Sequence, residues 1–130
     1  MKKLCVILLS VALFGISYSQ SWTALPGGSI NGQPNTVISF GGYRWFSGGF
    51  SMAGAIPSVA VARHNGAGWV STPSLAGQAF SFCIWNNELY GAGSFTVGPT
   101  TYGAVKWSGT GWDYFGAIPS SDYFHTITVF

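Results

Sequence analysis

Residues 36–50 read TVISFGGYRWFSGGF, and residues 81–95 read SFCIWNNELYGAGSF. At an offset of 45 residues the two stretches match aromatic with aromatic residues and glycine with glycine. The matched pairs are Phe40/Trp85, Trp45/Tyr90, Gly48/Gly93 and Phe50/Phe95. Self-similarity at a fixed period of this length is typical of repeat architectures. We therefore predict that the chain contains copies of one structural unit.

The match continues beyond these stretches. Residues 61–69 (VARHNGAGW) and 104–112 (AVKWSGTGW) align at an offset of 43. The small drift falls in the loop between the two matched regions, where a change in length costs little. A third copy is predicted to begin at Trp112 and run to Phe130, because His125–Phe130 (HTITVF) has the position of the two earlier apolar stretches.

Each copy contains four short runs of β-forming residues separated by Gly, Asn, Pro or Ser. The expected strands are 36–40, 43–47 and 59–64 with a fourth from Trp69, and 81–85, 88–92 and 102–107 with a fourth from Trp112. Gly41-Gly42 and Asn86-Asn87 are expected to form tight hairpin turns, since both residue types accept positive φ. A longer loop, 50–58 or 95–101, is expected to join strands two and three. The pattern predicts an all-β fold made of four-stranded antiparallel units.

These features together resemble the kelch repeat of β-propellers, in the divergent form of bacterial secreted and surface proteins. The resemblance rests on the small pairs that end strand two (Gly48-Gly49 and Ala92-Gly93) and on the tryptophans that open strand four (Trp69 and Trp112). It implies a partial β-propeller of about two four-stranded blades plus the first strand of a third, with an architecture like that of galactose oxidase. The sequence departs from the kelch pattern at Ala92, which replaces the first glycine of its pair, and at the end of strand three, which lacks the usual tyrosine.

The first 19 residues are predicted to be a signal peptide. Lys2 and Lys3 precede a short apolar run at 5–16, and small residues follow at the expected cleavage positions. The run is too short to cross a bilayer, which takes about 20 residues. We expect a secreted or cell-surface protein without a membrane span after cleavage.

The remaining residues, 20–130, are interpreted as an incomplete propeller. Residues 20–35 are assigned to a ring-closing strand (SWTAL) and loop, 36–73 to blade one, 74–116 to blade two and 117–130 to the start of blade three. The chain is thus expected to be the N-terminal fragment of a longer protein, with the missing C-terminal blades as its structural partners. The alternative is a small protein that builds a ring by assembling copies.

The charge balance excludes one class of partner. Without Lys2 and Lys3, three basic residues balance three acidic ones; they are Arg44, Arg63 and Lys106 against Glu88, Asp113 and Asp122. Binding to nucleic acid requires a cluster of cations, which is not present, so no nucleic-acid partner is expected. Arg63 and Lys106 occupy matching positions, and we favour a charge on an outer strand that discourages edge pairing over a ring of ligand-binding cations.

No catalytic residue, metal site or cofactor is predicted. The three carboxylates do not recur at an interval that would pair them, and His64, His125 and Cys83 do not form a credible ligand set. Cys83 has no internal disulfide partner after cleavage and is expected to be a small buried hydrophobe. The recurring Trp69 and Trp112 are expected in the core. The predicted ligand contacts are aromatic residues in or near the rim loops: Phe50, Phe95, Tyr102, Tyr123 and Phe124.

The sequence therefore favours a non-catalytic binding or scaffold module for a protein or a glycan. The alternative is the N-terminal part of a propeller enzyme, an oxidase or a glycan-active enzyme, whose catalytic residues lie beyond residue 130. The resemblance fits both, because one fold can carry many functions.

Overall fold

The computed structural model describes residues 24–128. The predicted signal peptide, the SWTAL strand up to residue 23 and the last two residues of the predicted third copy lie outside this range. Every regular element within it is a β-strand, and no helix there is long and apolar enough to cross a membrane. The strands are β1 (Gln33–Phe40), β2 (Tyr43–Gly49), β3 (Met52–Ala53), β4 (Ile56–Pro57), β5 (Val61–His64), β6 (Trp69–Val70), β7 (Gly77–Trp85), β8 (Glu88–Val97), β9 (Thr100–Trp107) and β10 (Trp112–Ile118).

The strands form two four-stranded antiparallel sheets. Sheet 1 has the order β1-β2-β5-β6, and sheet 2 has the order β10-β9-β8-β7. A separate two-stranded sheet, β3-β4, lies within the connection between β2 and β5. The prediction of an all-β fold with four-stranded antiparallel sheets is confirmed.

The first hairpin of each sheet has the predicted turn. Phe40 pairs with Tyr43 across Gly41-Gly42, and Trp85 pairs with Glu88 across Asn86-Asn87. The φ angles are 59° and 80° in the first turn, and 48° and 59° in the second. Two consecutive positive φ values are those of a type I′ turn, whose twist matches that of the flanking strands.

The predicted loop at 95–101 is wrong. Strand β8 continues to Val97, Gly98 and Pro99 make a two-residue turn, and β9 starts at Thr100. A shift in register between Ala92 and Phe95 lets the longer strands stay paired. The small residues after Ala92 therefore mark a bulge rather than the end of a strand.

The registers of the two sheets are equivalent, residue by residue. In sheet 1 the row of directly paired residues at its centre is Ile38, Trp45, Arg63 and Val70. The matching row in sheet 2 is Cys83, Tyr90, Lys106 and Asp113. Directly paired residues project from the same side of an antiparallel sheet. We call the side that carries these rows the front face of each sheet and the opposite side the back face.

The front face of sheet 1 packs on the back face of sheet 2. Trp45 on the front of sheet 1 shares the main core with Phe82 and Val105 on the back of sheet 2. The Trp45 ring lies 4.9 Å from the ring of Trp107 and 5.8 Å from that of Trp112. The two sheets therefore contact each other through unlike faces, as a stack of repeated units does.

The back face of sheet 1 carries a second, smaller core. It consists of Phe50, Ala53, Ala62 and Trp69, with Leu25, Ile30, Phe46 and Ile56 packed against it. The segment before β1 and the β3-β4 hairpin supply its outer layer. Trp69 is thus a core residue as predicted, and Trp112 is half-buried against the main core.

The equivalence extends to the hydrogen bonds of the two recurring tryptophans. The Trp69 Nε1–H donates to the carbonyl of Gly28 over 2.9 Å, and the Trp112 Nε1–H donates to that of Pro73 over 3.0 Å. Gly28 and Pro73 lie 45 residues apart, in the segments that lead into β1 and β7. Each indole thus ties the fourth strand of its sheet to the chain that enters the first strand.

Candidate ligand-binding surface

Two of the five aromatic residues predicted to bind a ligand are buried, and a third is half-buried. The side chains of Phe50 and Phe95 are 7% and 0% exposed. Phe50 belongs to the core on the back of sheet 1, and Phe95 lies in the main core between the sheets. Tyr102 is half-buried, with its ring 6.0 Å from that of Tyr114. Phe50 and Phe95 do not reach the surface, because the strands and the hairpin extend into the regions expected to be open loops.

Tyr123 and Phe124 lie at the surface and are 50% and 44% exposed. They belong to the segment 119–128, which lies against sheet 2. The segment forms no strand, so the prediction of a first strand of a third blade is wrong for the described residues 125–128. The Tyr123 ring is 5.7 Å from that of Phe80 and 4.6 Å from that of His125, and the Phe80 and His125 rings are 5.8 Å apart. We call Phe80, Tyr123, Phe124 and His125 the aromatic surface.

The backbone of sheet 2 holds this segment in place. The Phe124 N–H donates to the carbonyl of Gly93 on β8 over 2.9 Å. The Phe124 ring lies against Gly103 on β9, where a β-carbon would approach the ring to 2.6 Å. Asp122 N–H donates to the Pro119 carbonyl over 2.9 Å and closes the turn before it. Because it has no side chain, Gly103 leaves the space in which the Phe124 ring packs against β9.

Phe80 and His125 were not among the residues predicted from the sequence. Their place becomes clear from the repeat: Phe80 corresponds to Asn35, and Tyr123 corresponds to Gln78. Asn35 and Gln78 contact each other, since the Asn35 Nδ2–H donates to Gln78 Oε1 over 3.5 Å. The ring contact of Phe80 with Tyr123 thus lies 45 residues further along the chain, at the position equivalent to the amide contact of Asn35 with Gln78. The signal in the sequence was an aromatic residue at 80 where the first copy has asparagine.

A cleft of about 440 Å³ lies at the seam between the two sheets. The residues that line it carry no charge; they are Asn31, Gly48, Gly49, Phe50, Ser51, Val59, Ala60, Leu75, Gly77 and Gln78. Asn31 Oδ1 accepts from the N–H groups of Ser51 and Met52 over 3.0 Å and 2.9 Å and fixes one wall. Gln78 is exposed, with its Nε2 3.4 Å from where a Gly49 β-carbon would be. The Gln78 amide thus extends from sheet 2 over the end of β2.

The charged groups of sheet 2 lie on its front face. Lys106 Nζ is 2.6 Å from Glu88 Oε1, and the Tyr90 hydroxyl donates to Glu88 Oε2 over 2.6 Å. These hydrogen bonds, first that of Lys106 and then that of Tyr90, lower the pKa of Glu88. The same contact with Glu88 raises the pKa values of Lys106 and Tyr90. Desolvation raises the pKa of the nearby Cys83 thiol.

The described range, 24–128, contains no group of three or more His, Cys, Asp or Glu side chains placed to hold a metal ion. The aromatic surface exposes the rings of Tyr123 and Phe124 and includes no Asp, Glu, Lys or Arg side chain. Such a surface can stack on flat or apolar parts of a ligand, while the amides at the seam can exchange hydrogen bonds with polar groups.

Comparison with known proteins finds no relative of this chain. No protein-family model, no curated protein and no solved structure matches it.

Proposed function

We propose that this chain is part of a secreted or surface-displayed kelch-like β-propeller that acts as a non-catalytic module for binding a protein or a glycan. The observation that carries the proposal is the aromatic surface, in which Tyr123 and Phe124 are about half exposed and ring contacts join Tyr123, Phe80 and His125. Exposed aromatic rings held together by their neighbours are typical of binding sites.

The packing of the sheets supports the propeller part of the proposal. Blades of a propeller are repeated four-stranded sheets around one axis, so each must present one kind of face to the preceding blade and the other kind to the next. The front-to-back contact between Trp45 on sheet 1 and Phe82 on sheet 2 has this character. A sandwich whose two sheets met through like faces would place Trp45 opposite Tyr90 instead.

Equivalent contacts in the first and second copies support the proposal that a third copy begins after β10. The contact of Phe80 with Tyr123 corresponds to that of Asn35 with Gln78, so the segment around Tyr123 lies beside β7 as β7 lies beside β1. Further blades would follow this segment in the proposed full protein.

The test of function is binding of the full chain and its variants to an array of glycans and peptides. We expect Tyr123→Ala to weaken binding about five- to tenfold, which is the effect of losing one well-packed aromatic contact of roughly 1–1.4 kcal/mol. Val37→Ala serves as the matched control, because Val37 is exposed on sheet 1, away from the aromatic surface. Equal binding by the Tyr123 variant and the parent chain would show that the aromatic surface is not the binding site.

A further inference from the structure

We infer that the cleft at the seam and the aromatic surface are two subsites for one ligand, a neutral oligosaccharide. The inference rests on the proposed binding function and names its substrate class. It adds Gln78 and Asn35 as residues that recognise hydroxyl groups, next to rings that stack on the sugar.

The two subsites lie side by side along β7. Gln78 belongs to the cleft, and Phe80, two residues further along the strand, belongs to the aromatic surface. Two residues of an extended strand span at most about 7 Å, and the register of β7 shifts between Ala79 and Ser81, at Phe80. A ligand of two or more linked rings can therefore contact both subsites, whereas a single ring can contact only one.

The amides at the seam have unused hydrogen-bonding capacity. In residues 24–128 the Gln78 side chain makes one hydrogen bond, accepted from Asn35 over 3.5 Å. A primary amide offers two donors and an acceptor, so both Nε2 hydrogens of Gln78 and the Oδ1 of Asn35 are free for a ligand. The Asn31 side chain, in contrast, is hydrogen-bonded to Ser51 and Met52 and forms one wall of the cleft. Sugar hydroxyls are both donors and acceptors and match such a pair.

The composition of the cleft selects a neutral ligand. Every residue that lines it is uncharged, and its apolar part is formed by Phe50, Val59 and Leu75 among others. A phosphate or carboxylate ligand would lose its hydration here without gaining a cation. The apolar wall and the free amides together fit the two sides of a sugar ring, its C–H groups and its hydroxyls.

The experiment measures the affinity of the full chain for glucose, xylose and N-acetylglucosamine and for their neutral β-1,4-linked oligosaccharides of up to six rings. We expect affinity to rise with chain length. Gln78→Ala should remove about five- to tenfold of the affinity for the six-ring ligand and leave that for the single-ring sugars nearly unchanged. Tyr123→Ala should weaken binding at every length. The side-chain amide NMR signals of Gln78 and Asn35 should shift with the long ligands.

Gln33→Ala is the matched control. Gln33 is the exposed glutamine that corresponds to Gln78 in the first copy, and it does not line the cleft. Thermal unfolding of each variant confirms that the fold is retained.

Three results would overturn the inference, and only the last of them also overturns the proposed function. If Gln78→Ala binds all lengths like the parent chain while Tyr123→Ala is weak, the cleft is not a subsite although the proposed function stands. If no saccharide binds and only peptides do, the substrate class is wrong. If neither saccharides nor peptides bind, the proposed function fails and this inference fails with it.

Discussion

Arg63 shows how a single residue acquires its role from the packing of the two sheets. Its guanidinium carbon lies 4.7 Å from the centre of the Tyr43 ring, 5.4 Å from that of Trp45 and 5.5 Å from that of Trp107. Its Nη2–H donates to the Ser71 carbonyl over 3.2 Å. Strand β5 is flanked by β2 and β6, and β9, which carries Lys106, is flanked by β8 and β10. Both strands are therefore interior to their sheets. The prediction that Arg63 and Lys106 lie on an outer strand, where a charge discourages edge pairing, is wrong.

His64 is the second residue whose surroundings explain its type. Nδ1 accepts the N–H of Gly66 over 2.9 Å, so this nitrogen has no hydrogen. Nε2 lies 2.9 Å from the Pro26 carbonyl and donates to it. The imidazole is almost fully buried and connects β5 to the segment before β1. It holds structure together and is not available to a ligand.

Trp69 is buried in the core on the back of sheet 1. We expect Trp69→Ala to lower the free energy of unfolding by roughly 3–5 kcal/mol, because the ring fills the core on the back of sheet 1. Trp69→Phe should cost less, since it keeps an aromatic ring and loses mainly the hydrogen bond to Gly28. Urea unfolding measures both changes. A loss below about 1 kcal/mol for the alanine variant would mean that Trp69 is not a core residue.

Among the elements of the fold, strand β8 contributes side chains to both faces of sheet 2. Its back-face residues Leu89 and Phe95 belong to the main core, while Tyr90 projects to the front and meets Glu88 and Lys106. Leu89 and Phe95 are an even number of residues apart, so both project to the back face, and Phe95 lies in the core because β8 continues as a strand where a rim loop was expected. One strand thereby supports the core and the charged front face.

The Glu88–Lys106 pair gives a prediction for pH. The contribution of Glu88 is present above the usual carboxyl pKa of about 4.3 and is lost as the pH falls through the lowered pKa of the folded protein. The contribution of Lys106 is present below about pH 10.4 and is lost as the pH rises through its raised pKa. We expect Glu88→Gln to lower the Tm by less than about 3 °C at pH 7, and to leave it unchanged at pH values below the lowered pKa of Glu88.

Thermal melts over this range of pH provide the measurement. In a Lys106→Met background most of the effect of Glu88→Gln should disappear, because the larger of the two hydrogen-bond contributions is already lost. A difference in Tm that persists unchanged into acid would contradict the assignment to this carboxylate.

At the scale of the whole molecule, part of the front face of sheet 2 is exposed beside the segment 119–128. Trp85 is 52% exposed, and Phe115 is also exposed. They line an apolar groove of about 200 Å³ with Cys83, Tyr90, Ile127 and Thr128. The matching face of sheet 1 is buried against sheet 2. The front face of sheet 1 is thus covered by sheet 2, whereas the groove beside Trp85 on sheet 2 is exposed.

We expect this face to bind hydrophobic dyes such as ANS and to promote self-association of the full chain. Trp85→Ser should reduce dye binding about twofold or more and raise solubility, with little change in Tm. Val97→Ser is the control, since Val97 is exposed at the turn after β8 rather than in the groove. Dye fluorescence and sedimentation velocity measure the effects. Equal dye binding by the Trp85 variant and the parent chain would refute this role for the groove.

Much of the fold follows from short-range patterns in the chain. The all-β class, the four strands of each copy and the turns at Gly41-Gly42 and Asn86-Asn87 follow from alternation, β-propensity and the tolerance of positive φ, which act over a few residues. The burial of Trp69 follows from its recurrence at Trp112. These features could be predicted because neighbouring residues along the chain are sufficient to cause them.

Only the tertiary structure decides which faces meet and which side chains remain at the surface. The packing of Phe95 against Tyr114, the rings of both sheets around Arg63 and the contacts of Phe80 with Tyr123 and His125 each depend on residues far apart in sequence. A shift of one residue in register moves a side chain from one face of a sheet to the other. Burial at such positions is therefore set by pairing and stacking, which a local pattern does not specify.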